Sequence, residues 1–398
     1  MIEVDEVTFV LIVGVAALAA VLVAIVPRRL APPVVVVEIL LGIAIGPDLL
    51  GWAETDDFTD FFQTLGIGML FFFAGYEIDF DRIRGQPLKL GLVGWAFSVG
   101  LAYGIGGALA ASGLVISFLY SGSALATTAI GTLIPILRDA GELRTRFGTF
   151  LLGAGALGEF GPILLVTLVL STVQPLHEAL ILIAFIAVGV FLALASVGAA
   201  WRGWPVLERT FEASSQLAVR LAVVLVFALV LLAEELGLDV LLGGFVGGMI
   251  TRAAVRGREV SVLDSKLTAV GFGFLIPFFF VTSGMDFDLD ALTSSAKAML
   301  ELPLFLALFL VVRGLPALVL YRGVLVARER TSLAFFSATA LPLVVAITTI
   351  AVDGGHMRSA TAAALVGAAM LSTLIYPLVG LALKRATGEP ERAEPLPG

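Results

Sequence analysis

Leu151-Leu-Gly-Ala-Gly-Ala-Leu-Gly-Glu159-Phe-Gly-Pro-Ile-Leu-Leu-Val166 is the stretch on which the reading of this chain turns. One carboxylate, Glu159, stands in a run that is otherwise apolar or small. The surrounding window, Phe147 to Val173, is long enough to cross a bilayer, for which ~20 residues suffice. A charge at mid-membrane costs roughly 2.5 kcal/mol or more, so an intramembrane acid points to function. The glycines and Pro162 thin the helix and loosen its hydrogen-bond ladder, which lets ions and water approach the acid.

The excess of apolar residues is not confined to that window. Of the 398 residues 59% are hydrophobic, against roughly 45–50% in soluble domains. This composition defines an all-α polytopic membrane protein. Cysteine is absent, which excludes disulfides and thiolate metal sites. The first apolar run, Val7–Val26, follows an acidic start rather than a basic one, so it is expected to be a membrane helix and not a signal peptide.

Apolar runs separated by charged or Gly/Pro-rich breaks predict thirteen spans, at roughly 7–26, 33–51, 61–77, 88–111, 114–137, 147–172, 177–201, 213–234, 238–252, 267–285, 297–321, 331–352 and 359–384. Charge asymmetry tests that count. With the N-terminus outside and the C-terminus cytoplasmic, the inner segments carry 21 of the 24 basic residues. Only Lys297 and Arg358 fall outside, and Arg313 lies within span 11. The positive-inside rule demands such a partition. Residues 1–384 thus read as one transporter domain in a cell membrane, and 385–398 as a short cytoplasmic tail.

Similar segments recur seven spans apart. Span 3 ends Phe71-Phe-Phe-Ala-Gly75-Tyr-Glu-Ile-Asp79, and span 10 ends Phe278-Phe-Phe-Val-Thr-Ser-Gly284-Met-Asp286. Leu41-Gly42-Ile-Ala-Ile-Gly46 in span 2 pairs with Leu242-Gly-Gly-Phe-Val-Gly247 in span 9. Span 5 holds Ser123, Thr127 and Thr128, and span 12 holds Ser337, Thr339 and Pro342. Seven is odd, so the repeats (spans 2–6 and 9–13) have inverted topology, a hallmark of secondary transporters. Spans 5 and 12 are the expected interrupted pair, crossing at mid-membrane where freed carbonyls and half-helix ends coordinate a cation. Ser123, Thr339 and Pro342 support that crossing; Thr127, Thr128 and Glu159 are the candidate ion and proton ligands.

Arg313 keeps its charge in a protein interior and needs a partner. Glu159 is one candidate, and helix-end carbonyls are the alternative. Glu38 and Glu77 are expected near the interfaces with local partners, and neither His177 nor His356 is expected to be a ligand. Gly153-Ala-Gly155-Ala-Leu-Gly158 matches the dinucleotide fingerprint but lacks its strand–helix setting. No P-loop is present, and no cofactor, nucleotide or nucleic acid is expected; nor is an enzyme, since no nucleophile–base set stands out.

These motifs, taken in order, resemble the monovalent cation:proton antiporter family, the prokaryotic sodium/hydrogen exchangers. The likeness runs through Leu41–Pro47, Leu70–Asp79, Thr127-Thr128-Ala129, Leu242–Gly247 and Pro277–Met285. In that family a polar–Asp pair follows the first broken helix, and Gly158-Glu159 stands at its place; Arg313 stands where the family has a basic residue. The resemblance implies a homodimer with a core (spans 4–6 and 11–13) that slides against a dimerisation scaffold (spans 1–3 and 8–10). It further implies exchange of Na⁺, or K⁺ or Li⁺, for H⁺ at Glu159. One titratable acid predicts one proton per cation, an electroneutral exchange. Two other readings remain open here. One is a sodium-coupled organic-anion symporter using Arg313, and the other is a transport-dead sensor of the same fold.

Overall fold

The structure, a computed structural model, describes residues 5–26, 32–77, 83–169, parts of 181–195, 215–236, 238, 240–255, 261–293 and 296–385. Every regular element among them is helical. Eight helices are long and apolar enough to cross a membrane, and three shorter apolar helices accompany them. Most of expected span 7, His177, Arg28, Arg29 and residues 386–398 of the tail lie outside the described residues, so the count of thirteen is left open.

Contacts group the chain into two compact units. The first comprises Met1–Leu22, Glu38–Asp79 and Ser171–Asp286. Its helices are α1 (Glu6–Ile25), α2 (Val34–Ile45), α3 (Asp57–Glu77), α8 (Leu217–Glu235), α9 (Val240–Ala254), α10 (Ser261–Val270) and α11 (Ile276–Met285). A lipid-facing helix needs no polar stripe, and α1 accordingly leaves Val10 and Ile25 mostly exposed. Between α3 and α9 there is no room for side chains at the contact: a Cβ on Gly248 would fall on the Phe72 carbonyl and 2.6 Å from the Tyr76 nitrogen. Small residues there let two backbones approach, which gains dispersion contacts where lipid supplies no hydrophobic drive. Phe9, Phe62 and Phe278 fill the neighbouring space with centroids 4.9 to 5.5 Å apart. Glu38 differs from its expectation: it is buried and, among the described residues, has no hydrogen-bond partner.

The second unit comprises Val23–Val37, Phe80–Leu170 and Phe287–Gly398. Here α4 (Gln86–Ala111) is followed by the short α5 (Phe118–Leu125) and α6 (Ile130–Asp139), then α7 (Arg146–Val169). After α12 (Leu289–Thr293), the rest is α13 (Ala296–Phe309), a π-turn at Leu310–Gly314, α14 (Leu315–Leu320), α15 (Ala327–Ser337), α16 (Pro342–Asp353) and α17 (Ser359–Arg385). Both expected interruptions are present, at 126–129 and 338–341. Proline accounts for the second, since it disfavours helical geometry in the preceding residue and suits the first turn of the next helix. Leu341 accordingly takes φ −158° and ψ −70° before Pro342 opens α16.

Candidate functional site

The first break is held open by bonds that replace its helix ladder. The Thr128 N–H donates to the Gly158 carbonyl at 2.9 Å, and the Ala129 N–H to the Thr339 carbonyl at 2.8 Å. The second contact ties one break directly to the other. The Thr128 hydroxyl adds a further tie by donating to the Ser337 carbonyl at 2.5 Å. On the far side the Ala340 N–H donates to Ser372 Oγ at 3.0 Å, and the Ala340 carbonyl accepts from the Thr373 hydroxyl at 3.3 Å. Backbone groups freed inside a membrane must be satisfied by protein in this way.

Glu159 lies beside this crossing and is 2% exposed. Its Oε2 accepts the Gly131 N–H at 3.3 Å, and the Ile130 N–H is a second backbone donor to the carboxylate. The acid therefore sits at the N-terminal end of α6, where the helix dipole favours a negative charge. Thr132, in the same first turn, has a buried hydroxyl with no protein partner.

Arg313 lies in the π-turn, a helix defect frequent at functional sites. Its Nε donates to Thr128 Oγ1 at 2.8 Å, Nη1 to Ser98 Oγ at 3.0 Å, and Nη2 to the Ala154 carbonyl at 3.2 Å. Among the described residues, Arg313 and Glu159 form no ion pair. Its partners are not helix-end carbonyls either: two hydroxyls and the Ala154 carbonyl, inside α7, use three of the five guanidinium N–H groups.

The structure thus brings Glu159, Thr128 and Arg313 onto one crossing. Thr127 is buried there too, but its hydroxyl donates back to the Ala124 carbonyl at 2.9 Å. Thr339 contributes its carbonyl, while its hydroxyl turns back to Phe335. Pro342 sits at the start of α16. Ser123 lies apart from these groups, bonded to the Tyr103 hydroxyl at 3.1 Å. His356, not expected as a ligand, stacks on Tyr120. Sequence reasoning missed Ser98, Ser372 and Thr373, whose hydroxyls are ordinary in a membrane helix until their partners are known.

A small cavity of about 10 Å³, lined in part by Trp95, Arg313, Tyr321 and Ser337, adjoins the guanidinium. That is room for about one water, whereas small-molecule pockets run to ~300 Å³ or more. Trp95 Nε1, the Tyr321 hydroxyl and Ser337 Oγ have no protein partner.

The two broken helices are thus joined at their breaks, with one buried acid at a half-helix N-terminus. The family model described as sodium/hydrogen exchanger, transmembrane, matches residues 16–382. The chain belongs to the sodium/hydrogen exchanger family. The chain is 27% identical over 274 residues to the Na⁺/H⁺-K⁺ antiporter GerN of Bacillus cereus, covering 66% of this chain and 68% of that protein. It is 25% identical to the putative Na⁺/H⁺ antiporter YjbQ of Bacillus subtilis, matching 91% of this chain and 61% of YjbQ. Its fold is similar to that of the sodium proton antiporter MjNhaP1 from Methanocaldococcus jannaschii, with TM-score 0.61, 16% identity, and 95% and 97% of the two chains covered.

Proposed function

We propose that this exchanger moves a monovalent cation, Na⁺ first among the candidates, against H⁺, with Glu159 as the shared carrier. The observation that carries the reading is the lone buried carboxylate beside the joined breaks. Of the relatives named above, GerN is by name a Na⁺/H⁺-K⁺ antiporter and YjbQ a putative Na⁺/H⁺ antiporter. Glu159 binds either a proton or a dehydrated cation, and oxygens of Thr127, Thr128, Thr132 and nearby carbonyls complete the cation's shell. Occupied either way, the site is neutral and free to cross; unoccupied, it carries a charge that the low-dielectric barrier opposes. That condition couples the two fluxes. Arg313 keeps its proton throughout, so one titratable acid gives one H⁺ per cation and no net charge movement.

Alternating access follows as an elevator motion. Spans 4–6 and 11–13 form the moving core, and spans 1–3 and 8–10 form the scaffold of a homodimer. The distribution of basic residues supports an N-terminus outside and a C-terminus in the cytoplasm. The space beside Arg313, room for about one water, favours cation exchange over organic-anion symport.

Reconstituted vesicles test the proposal. A pH gradient should collapse on addition of Na⁺, K⁺ or Li⁺ without generating a membrane potential. A voltage-dependent exchange current overturns the stoichiometry, and no response to any of the three cations overturns the exchange reading.

A further inference from the structure

Gly158 precedes the acid on α7, and the space above it is taken. A Cβ built there would fall on Arg313 Nη2, 2.6 Å from Thr128 Oγ1 and 2.8 Å from Thr128 Cβ. This differs from the usual reason for glycine in a membrane helix, which is approach of a neighbouring backbone. Gly91 on α4 is of that usual kind, since its added Cβ would lie 2.5 Å from the Gly153 carbonyl oxygen. At Gly158 the obstacles are side-chain atoms, nearest the far end of Arg313 and then the hydroxyl and Cβ of Thr128.

The guanidinium is fixed in that place from three directions. Nη2 is bonded to the Ala154 carbonyl, one turn before Gly158 on the same helix. Nη1 is bonded to Ser98 on α4, and Nε to Thr128 in the first break. Thr128 in turn donates its hydroxyl to the Ser337 carbonyl of the second break and its N–H to the Gly158 carbonyl. Arg313 therefore reaches both interrupted spans through one threonine, and it does so through the volume a residue-158 side chain would fill.

We propose that Gly158 and Arg313 are a matched pair, in which Arg313 is the positioning residue of the crossing and absence of a side chain at 158 is the condition for it. The functional half of this inference rests on the exchange reading; the packing half does not. It also accounts for a glycine next to the acid without invoking loss of transport.

A coupling experiment on the full chain tests it, using Gly158→Ala, Arg313→Ala and the double variant, with Gly248→Ala and its Arg313→Ala double as control. Each is measured for thermal unfolding midpoint in detergent and for exchange in proteoliposomes. Gly158→Ala should lower the midpoint and raise the apparent cation KM, and adding Arg313→Ala should cost less than it does in the wild-type background. The Gly248 pair should be additive, since the Phe72 and Tyr76 backbone that a methyl at 248 would meet is no partner of Arg313. Additive midpoints for the 158–313 pair, or a wild-type Gly158→Ala, overturn the pairing. Arg313→Lys keeps the charge without the fork and should raise cation KM roughly tenfold with kcat little changed, the size of one charge-assisted hydrogen bond. An unchanged KM overturns the positioning role. If the wild type exchanges no cation, the exchange reading fails, and the midpoints still decide the pairing.

Discussion

Replacing Thr128 by valine keeps the side chain's shape and removes its oxygen. That oxygen accepts Arg313 Nε at 2.8 Å and donates to the Ser337 carbonyl at 2.5 Å. The backbone bond from Thr128 N–H to Gly158, at 2.9 Å, survives. The first loss is a charge-assisted bond at ~1.5–3 kcal/mol and the second a neutral one at ~0.5–1.5 kcal/mol, so the variant should lose about 2–4 kcal/mol. The penalty has no relief from solvent, because Thr128 and Arg313 are both buried. Thr127→Val is the matched control, since its hydroxyl bonds only back to Ala124, at 2.9 Å. Denaturant unfolding in mixed micelles reads the stability of each, and proteoliposome exchange reads the apparent cation affinity. Thr128→Val should be markedly less stable than Thr127→Val and should bind cation more weakly than wild type. Equal stabilities for the two variants would refute the reasoning that one hydroxyl joins the two breaks.

Gly248→Ala drives a methyl onto the Phe72 carbonyl where α3 meets α9, and overpacking of this kind should cost about 1–3 kcal/mol in the same unfolding assay. Glu38→Gln should leave exchange unchanged, because Glu38 lies on α2 in the first unit whereas both joined breaks belong to the second; loss of proton-coupled flux in that variant would count against a single carrier. Asp286, just past α11 and partly open to solvent, is pushed above the ordinary carboxyl range by partial desolvation and the nearby Asp60 charge, against the opposing Thr55 hydroxyl bond at 2.8 Å. The unfolded chain ionises first, so stability falls as pH rises past the ordinary Asp range towards the higher folded value. Asp286→Asn should flatten that slope and raise the unfolding midpoint at neutral pH, as thermal scans across pH would show.

The two breaks were legible because their causes are local. Pro342 ends one helix and starts the next, and clustered hydroxyls mark the other. The importance of Glu159 was legible because an acid in an apolar window is costly wherever the window folds. What held the site together was not legible. Ser98, Ala154, Ser372 and Thr373 act through partners on other helices, and no spacing rule links Ser98 to Arg313. The π-turn at Leu310–Gly314 has no sequence signature beyond Pro316 nearby. The suggested Arg313–Glu159 pair illustrates the same gap: opposite charges in one membrane domain imply attraction, but Thr128, Ser98 and Ala154 satisfy the arginine first. Nor does the sequence tell why glycine stands at 158, where the Arg313 guanidinium fills the space a side chain would take.

The central claim is that Glu159 carries both ions, and pH-gradient collapse in vesicles holding wild type or Glu159→Gln tests it most directly. Wild type should respond to at least one of Na⁺, K⁺ and Li⁺, while the variant, equally abundant and folded, should respond to none. Cation-driven proton movement that persists in Glu159→Gln would contradict the account.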